Sequence, residues 1–492
     1  DGLIAIIPSF SGETTFAIKE KDEERAKEKL DWYKKIFGKE NVYLEITHHP
    51  EIEGHQEIQE EIKELAQSTN IELVAAHDVY YIKPEDRRTR ETVMKIQTNS
   101  DFGGQGSGDE DFSFINQKTA EKYFKDTPQA LSNTIKIADM CNVELELGNW
   151  VFPDLKIESG RSYDDELRAI VYAGLEKRNV EKTKEVEDRI EYELKIIKDK
   201  GYSPYFLVVG DLLRFAHKNN ILTTIRGSVA GSMVTYLANI TNVNPVEYKI
   251  PFERFLNPER PSAPDIDMDF ADNRRDEVIQ YAKDKYGEEK VAQIGTFGTM
   301  AARGSVRDIA RALGHPYSTG DQISKLIPIG SQGFPMTIDH AIKITPELKE
   351  LYKKEADVKE IIDMAKKIEG NARHISIHAA GVVISPSDLT DFVPLQLDPK
   401  GGKVVTQYDM HAVEDAGLLK FDFLGIKNLA ILADAVKRAK KFHNVDVDIE
   451  NIPLDDKKTY EMLARGETMG LFQLNGAGMT RYLKDLKPSQ IT

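Results

Sequence analysis

Carboxylates alternate with apolar residues along residues 264–270 (PDIDMDF), and this pattern restricts how the segment can fold. A period of two is typical of a β-strand with one polar face and one buried face. The polar face would carry three carboxylates and the buried face three apolar side chains: Asp265, Asp267 and Asp269, and Ile266, Met268 and Phe270. Like charges this close raise one another's pKa unless cations lie between them. The strand predicts either a magnesium site completed by substrate phosphates, or a solvated acidic edge strand.

A second acidic residue lies in residues 418–424 (LLKFDFL), which are otherwise mostly apolar. A charge in so apolar a strand is costly unless it is paired or bound to a metal. Lys420 and Asp422 would share one face of this strand, because they are two residues apart. Asp422 is therefore either a further metal ligand or half of a buried ion pair.

Residues 226–232 (RGSVAGS) form a glycine-containing loop before a predicted helix over 233–239. Small residues at that place let backbone N–H groups approach an anion, and a helix N-terminus favours negative charge. Arg226 and Ser228 would add side-chain donors to a phosphate. The loop predicts a phosphate site, with a simple helix cap as the alternative. The chain contains no Gly-x-x-x-x-Gly-Lys-Ser/Thr motif, so it is not a P-loop enzyme. A second glycine-rich loop, residues 103–108 (GGQGSG), does not complete a Gly-x-Gly-x-x-Gly pattern.

Two arginines, Arg254 and Arg260, flank residues 255–259 just before the acidic strand. At that distance from a metal–triphosphate site they could neutralise charge on a leaving pyrophosphate. Salt bridges with Glu253 or Glu259 are the alternative interpretation.

A basic ridge is predicted on residues 300–313, where arginines recur every four residues as Arg303, Arg307 and Arg311. The apolar residues of the same segment also recur with helical spacing, so the arginines would share the opposite face. Such a ridge could follow a phosphate backbone, or it is an ordinary solvated helix face.

Composition limits the remaining possibilities. The chain has 492 residues, which predicts several domains, and a net charge of −16, which argues against a protein that coats nucleic acid. Cys141 is the only cysteine, which excludes disulfides and cysteine-based zinc sites. No apolar run is long enough to cross a bilayer, so we expect a cytoplasmic protein without a membrane partner.

Within residues 1–150, strand-like residues 41–46 and 71–76 flank a helical pattern over 56–65, which predicts a parallel sheet or barrel.

The sequence thus predicts two acidic strands, a phosphate-binding loop, arginines and a basic helix. Together these are the parts that two-metal nucleotidyl transfer requires. At these residues the chain resembles the bacterial C-family replicative DNA polymerases, the DNA polymerase III alpha subunits. The resemblance extends in order along essentially the whole chain. It is carried by residues 252–260 (FERFLNPER), 264–270, 296–302 (TFGTMAA), 313–317 (LGHPY), 378–384 (HAAGVVI), 420–425 (KFDFLG) and 470–474 (GLFQL).

The resemblance implies a multidomain α/β and α+β protein. It implies a partial polymerase and histidinol phosphatase (PHP) domain, a metal-binding (β/α) barrel, over residues 1–150, then a palm related to the polymerase-beta nucleotidyltransferases. The palm would comprise residues 151–297 and 375–427, with a helical thumb inserted over 298–374. Residues 428–492 would begin the fingers, and both chain ends would be cuts in a longer polymerase.

The resemblance also implies roles for individual residues. Asp265, Asp267 and Asp422 would bind two Mg²⁺ ions and carry catalysis. The residues near the nucleotide phosphates would be Arg226, Gly227, Ser228, Arg254, Arg260 and Lys420, and DNA would meet Arg303, Arg307 and Arg311. The implied reaction is template-directed 5′–3′ addition of deoxynucleotides to a primer 3′-hydroxyl in chromosomal replication. Implied partners are primer–template DNA, deoxynucleoside triphosphates, and the sliding clamp and other replisome subunits of the full-length protein.

Two departures from the family pattern matter. Ile225 and Val229 replace two glycines of the phosphate loop, which predicts a stiffer loop. Tyr80 lies where nuclease-competent PHP domains have a histidine ligand, so we expect no nuclease. His48, His49 and His55 are accordingly expected to be surface histidines and not a metal site.

Two other function classes stay open on the sequence. One is a PHP-type metal-dependent phosphoesterase or exonuclease in which the palm is only a scaffold. The other is a catalytically silent subunit that clamps DNA.

Overall fold

The computed structural model describes residues 2–98, 111–259, 263–330 and 334–491. It contains two compact units, Asp1–Leu145 with Thr299–Arg373 and Glu146–Gly298 with His374–Thr492. Arg260 and the glycine-rich loop 103–108 lie outside the described residues. Among the described residues, no helix is long and apolar enough to span a bilayer.

The strands are β1 (Ala5–Ile7), β2 (Val42–Ile46), β3 (Glu72–Ala75), β4 (Thr223–Ile225), β5 (Asp267–Ala271), β6 (Val291–Thr299), β7 (Ala372–Ile384), β8 (Leu395–Leu397), β9 (Val404–Thr406) and β10 (Lys420–Ile426). The first helices are α1 (Glu13–Lys19), α2 (Glu23–Phe37), α3 (His55–Thr69), α4 (Arg87–Thr98), α5 (Gln117–Tyr123), α6 (Pro128–Met140), α7 (Tyr163–Lys177), α8 (Lys184–Asp199), α9 (Ser203–Lys218) and α10 (Met233–Leu237). The later helices are α11 (Arg275–Tyr286), α12 (Ala302–Ala312), α13 (Tyr317–Leu326), α14 (Ile338–Ile344), α15 (Pro346–Lys354), α16 (Ala356–Ile368), α17 (Met410–Asp415), α18 (Lys427–His443), α19 (Lys457–Arg465) and α20 (Ala477–Leu486).

The N-terminal part of the first unit is a parallel sheet of order β1-β2-β3 with helices packed on it. Its core contains Leu30 of α2, Leu44 of β2 and Ile62 of α3. The predicted strands over 41–46 and 71–76 and the helix over 56–65 are confirmed. Short apolar runs specified the two strands, and apolar residues at helical spacing specified the helix. Three strands in the described residues support a parallel α/β layer, while a barrel stays a prediction.

The second part of the first unit is helical. Helices α12 to α16 pack around a core that includes Val306, Ile309, Ile361 and Ile362, with Ile96 of α4 joining the same core. These helices agree with the helical character that the resemblance implied for residues 298–374. Its role as a thumb stays a prediction.

The second unit is built on a seven-stranded mixed sheet of order β4-β5-β10-β7-β6-β9-β8. Strands β5 and β10 lie side by side and parallel, whereas β4 and β7 flank them in antiparallel orientation. Aromatic side chains cover one face of this pair: the Phe270 and Phe423 ring centroids lie 5.7 Å apart, and those of Tyr205 in α9 and Phe421 lie 5.2 Å apart. One face of β5 and β10 is thus closed by the core, and the other carries the polar residues.

Helices α8 and α9 support this core. Ile190, Leu194 and Ile197 of α8 form an apolar stripe and are buried. Gly201 follows the end of α8 with φ +72°, in the left-handed region that favours glycine after a helix.

Candidate active site

Three carboxylates converge on the polar face of the sheet. Asp267 of β5 and Asp422 of β10 are direct partners in the parallel register, and Asp265 lies just before β5. One carboxylate oxygen from each of the three lies within 4.8 Å of the others. On the opposite face Ile266, Met268 and Phe270 are fully buried, as the alternation predicted. Two segments 157 residues apart therefore meet because their strands are neighbours.

Lys420 partly balances this negative charge. Its ammonium donates to the Asp422 carboxylate two residues further along the strand and lies 3.9 Å from Asp265 Oδ1. Asp422 is thus both half of an ion pair and a neighbour of two further carboxylates, which combines the two interpretations left open by the sequence. Three carboxylates facing one ammonium leave two negative charges unbalanced.

The pKa values of the site follow from burial and these like charges. Burial and then the Asp422 charge raise the pKa of Asp267, and burial and the charges of Asp422 and Asp267 raise the pKa of Asp265. Since 71% of the Asp265 side-chain surface is exposed, we assign its shift mainly to the neighbouring carboxylates. Burial alone would lower the pKa of Lys420, but its hydrogen bond to Asp422 and the nearby negative charges raise it.

The donor set fits a divalent cation. Hard cations such as Mg²⁺ prefer carboxylate oxygens, usually from one or two side chains with water and phosphate completing the shell. An added cation would also relieve the unbalanced charge that raises the pKa of Asp265 and Asp267. Among the described residues, Asp265, Asp267 and Asp422 are the one group of acidic, histidine or cysteine side chains that meets this geometry.

Asp269 has a different environment, although it follows Asp267 by two residues. It is 0% exposed and accepts two hydrogen bonds from Arg226, one from Nε and one of 3.1 Å from Nη2. This fork is the bidentate geometry in which arginine pairs best with a carboxylate. Asp269 therefore orients Arg226 and is not part of the triad, as the family resemblance implied.

The phosphate-loop residues begin at the end of β4. Gly227 has φ +90°, a conformation that L side chains rarely adopt. Ser228–Gly231 form a 3₁₀ turn in which Val229 is fully buried. Val229 thus adds to the core, and the stiffer loop stays a prediction.

One detail of the loop prediction is wrong. The first-turn amides of α10 do not face an open anion site, because the buried carboxylate of Glu193 accepts from Met233 N at 2.9 Å and from Val234 N at 3.0 Å. An internal carboxylate thus takes the position that the sequence assigned to a phosphate. A contact of Arg226, Gly227 and Ser228, the earlier part of the loop, with a phosphate stays a prediction.

Arg254 lies in the short turn Phe252–Arg254 and is exposed. In the described residues Arg254 forms no ion pair with Glu253 or Glu259, and Glu253 accepts instead from Tyr192 Oη at 2.7 Å. Arg260 lies outside the described part of the chain, so its salt bridges, and the contact of either arginine with a ligand, stay predictions.

The three arginines of α12 are engaged within their own unit. Arg303 Nε donates to the Ile327 carbonyl at 2.7 Å, and Arg307 Nη2 lies 3.0 Å from Asp321. Arg311 Nη2 lies 3.5 Å from Asp308. These partners reduce the positive potential that the helix presents, and DNA binding by this face stays a prediction.

The expectation of surface histidines is wrong for two of the three. His49 and His55 are buried because their rings pack against Phe10, with ring centroids 5.5 and 4.8 Å apart. His49 Nδ1 also lies 3.0 Å from Glu51 Oε1, and His48 is half-buried. The sequence shows only that the histidines follow a strand, whereas Phe10 comes from the end of a different one.

Sequence reasoning missed two residues near the loop. Glu193 lies in the highly charged helix α8, and no local signal distinguishes it from the other acidic residues of that helix. Phe472, in the GLFQL motif, lies with its ring centroid 5.4 Å from the Arg226 guanidinium. That motif carried the family resemblance and could have indicated a contact with the site.

The mixed sheet and its converging carboxylates define an α/β protein with an acidic, metal-compatible site on adjacent strands. Residues 165–425 match the family described as the bacterial DNA polymerase III alpha NTPase domain, and residues 428–492 match that of its finger domain. The chain belongs to the family of bacterial DNA polymerase III alpha subunits.

Several bacterial relatives support this family assignment. DNA polymerase III subunit alpha of Bacillus subtilis is 40% identical over 99% of this chain and 43% of the relative. The subunit of Aquifex aeolicus is 37% identical over 99% of this chain and 45% of its own length. That of Escherichia coli K12 is 40% identical over 86% of this chain and 38% of its own length. The chain thus spans less than half the length of these relatives.

Proposed function

We propose that this chain contains the catalytic centre of a template-directed DNA polymerase, which adds deoxynucleotides 5′–3′ to a primer 3′-hydroxyl in chromosomal replication. The observation that carries the proposal is the convergence of Asp265, Asp267 and Asp422 on one sheet face, in a chain that belongs to the polymerase III alpha family.

Asp265, Asp267 and Asp422 would hold two Mg²⁺ ions. When bound, such ions activate the attacking hydroxyl and stabilise the leaving oxygen in nucleotidyl transfer. The chain's own contribution is a rigid carboxylate set, fixed by strand pairing on one face and by a buried apolar core on the other.

The nucleotide phosphates would lie against cationic and backbone donors around this set. Arg226 is oriented by Asp269, and Gly227 and Ser228 follow it at the start of the 3₁₀ turn. Lys420 already lies among the carboxylates. Arg254 is exposed and without a carboxylate partner in the described residues, and Arg260 would act beside it on the leaving pyrophosphate.

The domain roles follow from the same family. We propose a palm at residues 151–297 and 375–427, a thumb at 298–374, the start of the fingers at 428–492, and a partial PHP barrel at 1–150. Arg303, Arg307 and Arg311 of the thumb would approach primer–template DNA. The full-length protein would act in the cytoplasm with a sliding clamp and other replisome subunits, as a replicative polymerase requires.

A PHP-type phosphoesterase finds less support. Its metal site would need converging ligands in the N-terminal unit, and among the described residues only the aspartate triad has metal-binding geometry. Tyr80, at the position of a histidine ligand, is instead stacked against the Arg90 guanidinium at 4.2 Å.

Primer extension by the full-length subunit tests the proposal. With Mg²⁺, a primed template and four deoxynucleoside triphosphates, we expect products whose sequence follows the template, and none in EDTA. Metal-dependent shortening of the DNA without extension would contradict the proposal and favour the phosphoesterase.

A further inference from the structure

We propose that the Arg189–Glu193 pair of α8 positions the nucleotide-binding residues, so that Glu193 and Arg189 set the affinity for the incoming nucleotide without touching it. The inference deepens the proposed function and rests on it. The observation behind it is the buried carboxylate of Glu193, which accepts hydrogen bonds from Ser232, the last residue of the loop 226–232, and from the first two amides of α10.

Glu193 makes an unusually complete set of contacts for a buried acid. It is 0% exposed and accepts from the amides of Met233 and Val234 and, at 2.8 Å, from the Ser232 hydroxyl. Arg189 Nε supplies a fourth donor at 2.6 Å. Burial raises the pKa of this carboxyl, whereas all four donors favour its ionised form. A fully hydrogen-bonded buried carboxylate fixes its donors more rigidly than a solvated one.

Arg189 extends the connection to the second nucleotide-binding element. Its Nη2 donates to the Gly231 carbonyl at 2.7 Å and to the Ile250 carbonyl at 3.1 Å. Ile250 lies just before the turn Phe252–Arg254, so one guanidinium links the loop to the segment that carries Arg254. The planar fork of arginine allows three acceptors to be bound at once, and lysine lacks that geometry.

Packing at Gly231 shows how close these two segments lie. A Cβ at Gly231 would meet the Pro251 carbonyl oxygen at 2.7 Å, so a larger residue cannot be placed there without a backbone shift. Loop and turn are therefore in direct contact, with Arg189 across their junction. A shift of the Glu193 anchor would move both the Gly227–Ser228 backbone and Arg254 relative to the triad.

The pair also supports the proposed position of the nucleotide phosphates at the start of the loop. An anion at the α10 N-terminus would compete with Glu193 for the amides of Met233 and Val234. With that position taken internally, a triphosphate is directed to Arg226, Gly227 and Ser228, nearer the carboxylates of β5. Placement of this kind is worth large rate factors when reacting groups must be aligned.

Steady-state primer extension by the full-length subunit tests the inference with Glu193→Gln and Arg189→Lys. Glutamine keeps the size of the side chain but sets an NH₂ group against donors. We expect the KM for the incoming deoxynucleotide to rise about tenfold in Glu193→Gln, the effect of a lost charge-assisted hydrogen bond, and about threefold in Arg189→Lys. The Kd for primer–template and the Mg²⁺ dependence should stay within about twofold of wild type.

Asp211→Asn is the matched control. Asp211 of α9 is also a buried acid of this unit, and it accepts from Lys285 Nζ at 2.7 Å and from Tyr281 Oη at 3.0 Å. Both donors belong to α11, so Asp211 connects two helices and not the loop 226–232. Melting temperatures of all variants report stability separately from KM. A deoxynucleotide KM that rises in Glu193→Gln but not in Asp211→Asn supports positioning.

The outcomes are distinguishable. An unchanged KM in Glu193→Gln, or an equal rise in Asp211→Asn, overturns the positioning role while wild-type extension upholds the polymerase. A wild-type subunit that fails to extend a primer overturns the proposed function and this inference with it. If Glu193→Gln does not fold, Arg189→Lys, which keeps the charge at that position, decides by the same measurement.

Discussion

Asp267 and Asp269 lie on the same face of one strand, two residues apart, and have opposite surroundings. Asp269 is completely buried and fully paired with Arg226, whereas Asp267 shares its space with two other carboxylates and is only partly balanced by Lys420. The first arrangement is stable without a ligand, and the second improves when a cation arrives. The comparison teaches that an acidic motif can contain a structural carboxylate and a ligand-binding one, which differ only in what the rest of the chain brings to them.

Removal of a triad carboxylate should have the largest effect, because it removes a ligand-binding group and not a structural one. In Asp422→Asn or Asp267→Asn, we expect Mg²⁺-dependent primer extension by the full-length subunit to fall by about a thousandfold, roughly 4 kcal/mol in the activation barrier. The variant keeps the size of the side chain but weakens the metal ligand. Initial rates of single-nucleotide addition measure the effect.

Asp272→Asn is the control for that loss, because Asp272 is an exposed acid just past the end of β5. It should keep nearly the full rate. An Asp422→Asn enzyme with more than about a tenth of wild-type activity would show that the triad does not carry the reaction.

Disruption of the ion pair between Asp269 and Arg226 should mainly affect stability. Asp269→Asn leaves Arg226 facing an amide and removes the charge that balances it, so we expect the free energy of unfolding to fall by about 3 kcal/mol. Urea unfolding of Asp269→Asn, Arg226→Gln and the double variant gives the coupling energy of the pair. A coupling energy near zero would mean that Asp269 does not hold Arg226.

Strand alternation predicted that the carboxylates of 265–269 and Asp422 lie on the polar faces of their strands, because alternation is a local signal, whereas the family resemblance implied the triad of Asp265, Asp267 and Asp422. The sequence also predicted the parallel α/β start of the chain, and the resemblance implied a helical segment over 298–374, in which α12 to α16 lie. Strand alternation did not predict which acid of 265–269 would be neutralised, since Arg226 reaches Asp269 only through the antiparallel pairing of β4 with β5. The burial of Glu193, His49 and His55 was missed for the same reason: burial depends on distant packing partners, which periodicity does not report.

The unbalanced charge of the triad predicts a pH- and metal-dependent stability. The pKa of Asp267 is raised in the folded state, so folding favours the protonated form of this carboxyl. The contribution of Asp267 to the free energy of unfolding is therefore complete below the unfolded pKa of about 3.9 and is lost as pH rises through the folded pKa. At pH 7 without metal, Asp267→Asn should therefore melt about 2 °C above wild type.

Addition of Mg²⁺ should reverse that order, because the wild-type site gains a ligand and the variant binds it weakly. Thermal melts between pH 5 and pH 8, in EDTA and in Mg²⁺, measure both effects. Asp272→Asn, which removes an equal charge outside the triad, should not respond to the metal differently from wild type. A metal-free Asp267→Asn protein that melts below wild type at pH 7 would contradict the charge argument.

The smallest effect is expected from a change in the contacts of Arg226. Phe472 presents its ring to the Arg226 guanidinium, and this cation–π contact at a partly exposed site is worth about 0.5–1 kcal/mol. Phe472→Leu should leave Arg226 held by Asp269 alone and raise the deoxynucleotide KM about threefold, with kcat nearly unchanged. Phe442→Leu removes an exposed ring whose cationic neighbour is Lys441 and should leave the KM unchanged. An equal rise in both variants would show that the finger segment acts through general packing, whereas a rise confined to Phe472→Leu would assign the GLFQL motif a direct part in holding the nucleotide-binding arginine.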